Sequence, residues 1–322
     1  MRRIRFIAIV FCMVIVITGC SKKQSNINNI KVGTWKTAQT IQPFTYKQFL
    51  DEEDNIEVFP FTNPGDQKAA LLSGELDMCG TTLVTAIIAA SKGEPIKIIS
   101  GLCNKCSAIV VGKDSNIEKV EDLKGKVIAY VPGTMHHILL LETLERVGLD
   151  PDKDVELKRI DFFDMGQALA RGDIDAFCSG EPSPSIALSE KYGQILTYPY
   201  YDESIGYINA VMITTEDRIE KDREKIKKLV TAHVKSTEYL KGNRKDWLDK
   251  AQEFGTDKKV LELAVDNMDL AWEINQEMIE QTKNLAKRME QLGVISKVPD
   301  IEELFNLSFI EYSRKELKNE KK

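Results

Sequence analysis

One order of residues occurs twice in this chain, about a hundred residues apart. Ser73-Gly74-Glu75-Leu76-Asp77-Met78-Cys79-Gly80-Thr81-Thr82 is echoed by Arg171-Gly172-Asp173-Ile174-Asp175-Ala176-Phe177-Cys178-Ser179-Gly180. Each copy follows an Ala/Leu helix end (Ala70-Leu71-Leu72, Ala168-Leu169-Ala170), and the glycine stops that helix. An Ala/Ile-rich helix comes next (84–91, 185–192), then an apolar strand (96–100, 194–197). Two copies so far apart are too few for a solenoid. They predict two α/β lobes of like construction.

Between the copies, residues 127–149 read as strand, tight turn and helix. The β-branched run 127–131 is a buried strand, Pro132-Gly133 breaks it, and Thr134 supplies an N-cap hydroxyl. Leu140, Leu144 and Val147 share one helix face, with Glu142, Glu145 and Arg146 on the other. Gly148 and Asp150-Pro151 end it. The first N–H groups of such a helix favour an anionic or polar ligand group near Gly133, Thr134 and His136; the alternative is an ordinary hydrated turn.

Earlier strands fall at 30–33 and 56–59, the second followed by Asn63-Pro64-Gly65-Asp66 and a helix through Leu72. Parallel α/β sheets bind ligands beyond the carboxyl ends of their strands. That rule nominates Thr34, Trp35, Thr81, Thr82, the 102–106 loop with Cys106, Gly133, Thr134, His136, His137, and the 178–181 loop with Glu181. From Glu216 onward the pattern is helical, at 216–241, 245–254, 258–270 and 275–292, with a charged, frayed tail at 314–322.

The chain has 322 residues, 43% hydrophobic and 29% charged, which fits a globular protein of two domains. Its net charge is −6, with no basic block, so nucleic acid is not an expected partner. Arg2, Arg3 and Arg5 precede an uncharged apolar run, 6–18, too short for a membrane span but suited to a signal peptide. Ile17-Thr18-Gly19-Cys20 matches a bacterial lipobox, which predicts cleavage after residue 19 and lipidation of Cys20. Loss of the three arginines takes the net charge to −9. The polar stretch that follows, to residue 29, reads as a tether. The expected location is the extracytoplasmic face of the cell membrane, held by lipid.

Cys79, Cys103, Cys106 and Cys178 remain. Cys103-Asn104-Lys105-Cys106 has CxxC spacing, but no second pair or nearby histidine completes a zinc site, so these read as structural cysteines, free or paired. His136 and His137 diverge by about 100° on a helix and make a poor chelate. Each is a candidate ligand contact or a satisfied buried histidine. Glu181, held by Pro182, is either a ligand acceptor or a partner for a cation across the lobes. Trp35 is either a stacking wall or lobe core. No Ser-His-Asp set, paired catalytic carboxylates or phosphate loop is evident, so no catalytic residue, metal or cofactor is assigned. A sensor module would call for a downstream membrane helix, and none follows.

The lipobox, the repeated segment, and Val120-Glu121-Asp122-Leu123-Lys124-Gly125-Lys126 leading to Gly133-Thr134-x-x-His137 resemble one family. It is that of the substrate-binding proteins of ABC importers for nitrate, sulfonates and taurine, with related binders of thiamine pyrimidine precursors. The resemblance covers Ile30 to about Tyr312. It implies an α/β two-lobe type II periplasmic-binding fold, with a ligand cleft between lobes and a helical C-terminal block. The chain would cross near 108–113 and 207–214, giving lobe one as 29–110 plus 213–322 and lobe two as 111–212. It further implies a small polar ligand (taurine, an alkanesulfonate or nitrate, with a pyrimidine precursor as the alternative), a membrane permease and a cytoplasmic ATPase. A related pyrimidine synthase uses a CCCFC motif that this chain lacks, which favours binding over catalysis. Two departures stand out. Ser183 replaces the usual Trp after Glu-Pro, and Cys103 and Cys106 occupy a loop that often holds a single Cys.

Overall fold

The aspartates of the repeated segment explain its recurrence. In the computed structural model, the Lys31 amide donates to Asp77 Oδ2 and the Val127 amide to Asp175 Oδ2, both at 2.8 Å. The main chain answers, with Asp77 N donating to Lys31 O and Asp175 N to Val127 O. Each aspartate thus fixes the start of a neighbouring parallel strand. The repeat is a register clamp used once per sheet.

The structure describes residues 28–201 and 204–320. The expected signal peptide at 1–19, Cys20 and the tether up to residue 27 lie outside the described residues. The strands are β1 (Asn29–Trp35), β2 (Asn55–Phe61), β3 (Met78–Thr82), β4 (Ile96–Lys105), β5 (Ser107–Gly112), β6 (Val127–Tyr130), β7 (Glu156–Arg159), β8 (Ala176–Gly180), β9 (Gly193–Thr197), β10 (Ile208–Thr215) and β11 (Met268–Leu270). They form a six-stranded sheet, β11-β4-β10-β3-β1-β2, and a five-stranded sheet, β7-β6-β8-β5-β9.

Both sheets are mixed, which corrects the expectation of parallel ones. β10 runs antiparallel to β3 and β4, and β5 antiparallel to β8 and β9. The cause is the crossover: the chain leaves the first sheet on β4, turns at Lys105 and Cys106 (φ 58° and 77°), and enters the second as β5. It returns as β10.

Helices α1 (Pro64–Leu72) and α2 (Leu83–Ser91) are capped by the Asn63 and Thr82 side chains. In α3 (Met135–Arg146), Thr134 caps as expected, while Gly133 and Gly148 take φ of 71° and 79°. Leu140 and Leu144 pack on the second sheet, whereas Met135, Ile138 and Leu139 join the core of the first. The helix therefore straddles both. Its expected polar face is covered too, because Arg288 pairs with Glu142 at 2.7 Å and with Glu145.

After α4 (Met165–Arg171) and α5 (Ser183–Ser189) the helical block departs from the expected spans. The helix expected over 216–241 breaks at Asp222 (φ −129°) into α6 (Glu216–Lys221) and α7 (Arg223–Gly242). Following α8 (Arg244–Gln252), α9 (Lys258–Ala264) stops early, and 268–270 becomes β11, pairing with the edge of β4. Tertiary pairing here overrides helical spacing. After α10 (Gln276–Gln291) and α11 (Ile301–Leu304), the part of the expected frayed tail that is described, residues 314–320, is helical. α12 (Ser308–Glu320) buries Phe309 and Ile310.

The clamps differ in burial. Asp77 also pairs with buried Lys225 at 3.3 Å and Arg218 at 3.5 Å, while the Asp175 side chain is 38% exposed. Asp77→Ala is expected to cost about 3–5 kcal/mol by stranding a buried cation. Asp175→Ala should cost about 1 kcal/mol. Equal losses in denaturant unfolding would contradict this account.

Candidate functional site

A cavity of about 50 Å³ lies between the two sheets. That space holds roughly four waters. The first sheet contributes Trp35 at the end of β1, Gln39 from the loop after it, Cys103 on β4, and Asn209 on β10. The second contributes Cys106, His136, Phe162, Phe163 and the turn from Ser179 to Ser183.

A polar relay orients His136. Asn209 Nδ2 donates to Ser107 Oγ at 3.0 Å, and Ser107 Oγ and His136 Nδ1 share a hydrogen bond of 2.8 Å. Burial lowers the His136 pKa to about 4, so the ring is neutral. In the tautomer in which Nδ1 accepts from Ser107, the proton sits on Nε2, the nitrogen beside Gly180. Phe162 meets the ring edge-on at 5.2 Å.

Glu181 ties the two sheets together. Its Oε1 accepts from Asn267 Nδ2 at 3.1 Å and its Oε2 from Ser185 N at 3.2 Å. Its amide donates to Cys106 O, and its carbonyl accepts from Gln39 Nε2. Burial raises its pKa, and the bonds from Asn267 and Ser185 oppose the rise. Cys106 behaves differently. A hydrogen bond with the Cys103 thiol and burial push its pKa well up, leaving a neutral thiol rather than a nucleophile. The four described cysteines are free and buried. Among the described residues no cluster of three His, Cys, Asp or Glu side chains could hold a metal ion.

Of the residues nominated from sequence, Trp35, Cys106, His136 and Glu181 line the cavity together. The others are turned to structural use. Thr34 Oγ1 donates to Thr40 O at 3.0 Å, and Thr82 caps α2. Thr81 is fully buried, its hydroxyl without a partner. At the start of α3, Thr134 Oγ1 accepts from His137 N, and Gly133 N donates to His137 Nδ1 at 3.4 Å. Thr85 on α2 donates to Gly133 O at 3.0 Å, and Ile88 stands beside that glycine. Helix α2 of the first sheet thus packs against this turn. His137 stacks on Tyr130 at 4.7 Å.

Sequence reasoning missed Gln39, Asn209, Phe162 and Phe163. Asn209 offered one signal, a polar residue inside an otherwise apolar run, Ile208-Asn209-Ala210-Val211. The two phenylalanines supply the aromatic wall that Ser183 does not.

The buried histidines carry a pH prediction. His136 and His233 are each held near 4 against an ordinary 6.5. A lowered folded value contributes stability that is complete above 6.5 and lost as pH falls towards 4. The two together amount to several kcal/mol, at ~1.4 kcal/mol per unit. Glu181, with its raised value, runs the other way: its contribution is complete below the ordinary 4.5 and is lost as pH rises through the folded value. Denaturant midpoints should therefore fall between pH 6.5 and 4, and a flat profile would refute the histidine account.

Comparison with known proteins places this geometry. The NMT1/THI5-like family model matches residues 48–246. The chain is similar to the nitrate import ATP-binding protein NrtC of Synechocystis, 27% identical over 182 residues, 52% of this chain and 26% of that protein. It is similar also to the 4-amino-5-hydroxymethyl-2-methylpyrimidine phosphate synthase THI13 of Saccharomyces cerevisiae, 25% identical over 209 residues, 60% of this chain and 59% of that protein. In both cases the match spans less than two thirds of the relative's length. Among solved structures, the alkanesulfonate-binding protein SsuA of Xanthomonas axonopodis bound to MOPS has a TM-score of 0.78 at 18% identity, covering 87% of this chain and 99% of that one. That is a likeness of fold, the two-lobe periplasmic-binding type with its cleft between sheets. With more than half of its length matched by the family model, the chain belongs to the NMT1/THI5-like family.

Proposed function

We propose that this is an extracytoplasmic solute-binding lipoprotein of an ABC importer, and that its ligand is an amino-substituted nitrogen heterocycle of the aminopyrimidine type. One observation carries the ligand class. The cavity wall combines the rings of Trp35, Phe162 and Phe163 with Glu181 as its only carboxylate, and no Lys or Arg lines it among the described residues. A sulfonate or nitrate would sit beside a buried carboxylate with no cation to offset it, a cost that grows as water is excluded. A flat heterocycle instead buries its faces on aromatic rings and offers N–H donors to Glu181 and an acceptor to His136 Nε2–H. The similarity to the yeast pyrimidine phosphate synthase supports this class. Taurine is the second reading, favoured by the sulfonate-binding structural neighbour and by the acceptor that Glu181 offers an amine.

The proposed lobes follow the two sheets, lobe one as 29–106 plus 208–322 and lobe two as 107–207, which moves each expected boundary by a few residues. The lobes part to admit ligand and close on it, and the closed form docks on a membrane permease driven by a cytoplasmic ATPase. Cys20 carries the lipid anchor. The protein binds its ligand and does not transform it, consistent with the neutral, buried Cys106 thiol.

The test combines three readouts with 4-amino-5-hydroxymethyl-2-methylpyrimidine. At ~100 times Kd a ligand specific to the folded form stabilises by ~2.7 kcal/mol, which for a chain of this size is a melting shift of several degrees. Scattering should show compaction, and the ligand should be recovered unchanged. Product formation would establish an enzyme instead.

A further inference from the structure

We propose that Gln39 reads an N–H donor on the ligand and couples that recognition to closure of the two sheets. The inference rests on the reading of the cavity as a ligand site between lobes, and it assigns the residue that decides when the lobes shut.

Gln39 is 8% exposed and lines the cavity, yet its Oε1 is buried without a hydrogen-bond partner. The amide cannot be turned over to cure this. Its other end donates to the carbonyl of Glu181, and only the NH2 group can donate to a carbonyl. The bond joins the loop after β1 to the end of β8, and so one sheet to the other.

The loop that carries Gln39 is already folded on itself. Thr34 donates to Thr40 O, Thr40 Oγ1 donates to Trp35 O, and Thr37 Oγ1 meets Thr40 Oγ1 at 2.8 Å. Trp247 Nε1 holds Ala38 O at 2.8 Å. The hydroxyls of this loop are spent on its own shape, which leaves the Gln39 oxygen as an unpaired buried acceptor on a residue that lines the cavity. Other buried groups lack partners, among them Gln42 Oε1 and Thr81 Oγ1, but neither residue lines the cavity.

The consequence is a conditional closure. With the sheets apart, water reaches both ends of the amide. Closing without a suitable ligand makes the Glu181 bond but strands the oxygen, and a stranded buried acceptor is costly. A ligand N–H removes that cost, so donor-bearing ligands favour the closed form over otherwise similar ones.

The experiment is calorimetry on wild type, Gln39→Leu and Gln39→Glu with four probes. They are 4-amino-5-hydroxymethyl-2-methylpyrimidine, its analogue with hydrogen in place of the amino group, taurine, and ethanesulfonate. Wild type should prefer the amino compound to its analogue by about tenfold or more. Gln39→Leu should reduce that preference several-fold, leaving the part that Glu181 supplies. Gln39→Glu keeps an acceptor and should keep the preference, while binding both compounds more weakly because it has no donor for the Glu181 carbonyl. Melting curves close to wild type show that the variants fold, and Gln39→Glu serves if the leucine variant does not. A preference undiminished in Gln39→Leu, or one lost in Gln39→Glu, overturns the proposal and leaves the aminopyrimidine reading standing. If wild type binds only the sulfonates, that reading fails, and the Gln39 proposal stands only if Gln39→Leu weakens taurine selectively against ethanesulfonate. Binding of none of the four overturns both.

Discussion

Glu181→Ala is expected to weaken aminopyrimidine binding by roughly 100-fold, or ~3 kcal/mol. Glu181 is only 3% exposed, and both of its carboxylate oxygens are held, by Asn267 from the first sheet's side and by the Ser185 amide from its own. Truncation removes the acceptor for a ligand N–H and, in the same step, the shorter of the two hydrogen bonds of Asn267 Nδ2. Glu181→Gln keeps the shape but turns an NH2 group towards Asn267 or Ser185, so an intermediate loss is expected. Because burial raises the Glu181 pKa, the carboxylate protonates at a pH where an exposed one would stay charged. Affinity for an N–H donor should then decline as pH falls through that raised value. An alanine variant binding within twofold of wild type would remove Glu181 from the site.

The second large effect is expected at Gly180. A Cβ there would stand 3.0 Å from His136 Cε1, 3.2 Å from His136 Nε2 and 3.1 Å from Cys106 Sγ. Neither neighbour has room to yield, since both are buried and His136 is pinned through Ser107. Gly180→Ala should cost about 1–3 kcal/mol of stability by overpacking. It should also push the His136 donor out of place, with a loss of affinity of at least about tenfold. Gly242→Ala is the control: nothing lies within 4 Å of its Cβ position, and the change should be within ~0.5 kcal/mol. If Gly180→Ala keeps full affinity, His136 Nε2 is not a ligand contact.

Local chemistry made much of the fold legible. Thr134 as a cap, Gly133 in the turn and the paired Gly-acid-aliphatic-Asp runs each have a short-range physical cause, and each is found in that role. Residues 268–270 were not legible as a strand, because only pairing with β4 makes them one. The site divides along the same line. Trp35, Cys106, His136 and Glu181 follow strand ends or turns and reach the cavity as expected. Thr34, Thr82 and Thr134 sit at similar places, but their hydroxyls are consumed by caps and loop bonds, a choice that the spacing of residues does not reveal. Asn209 lies near the start of a strand running against its neighbours, where the rule for parallel sheets does not look. Gln39 became recognisable only once the loop's other polar groups were accounted for.

The central claim is that a neutral or donor-rich heterocycle, not an anion, fills the space between Trp35 and Phe162. Calorimetric titration of the wild-type chain with 4-amino-5-hydroxymethyl-2-methylpyrimidine, run beside ethanesulfonate under identical conditions, tests it most directly. The account predicts saturable one-to-one binding of the pyrimidine and no heat of binding from the sulfonate. Tight binding of ethanesulfonate with a silent pyrimidine would contradict it.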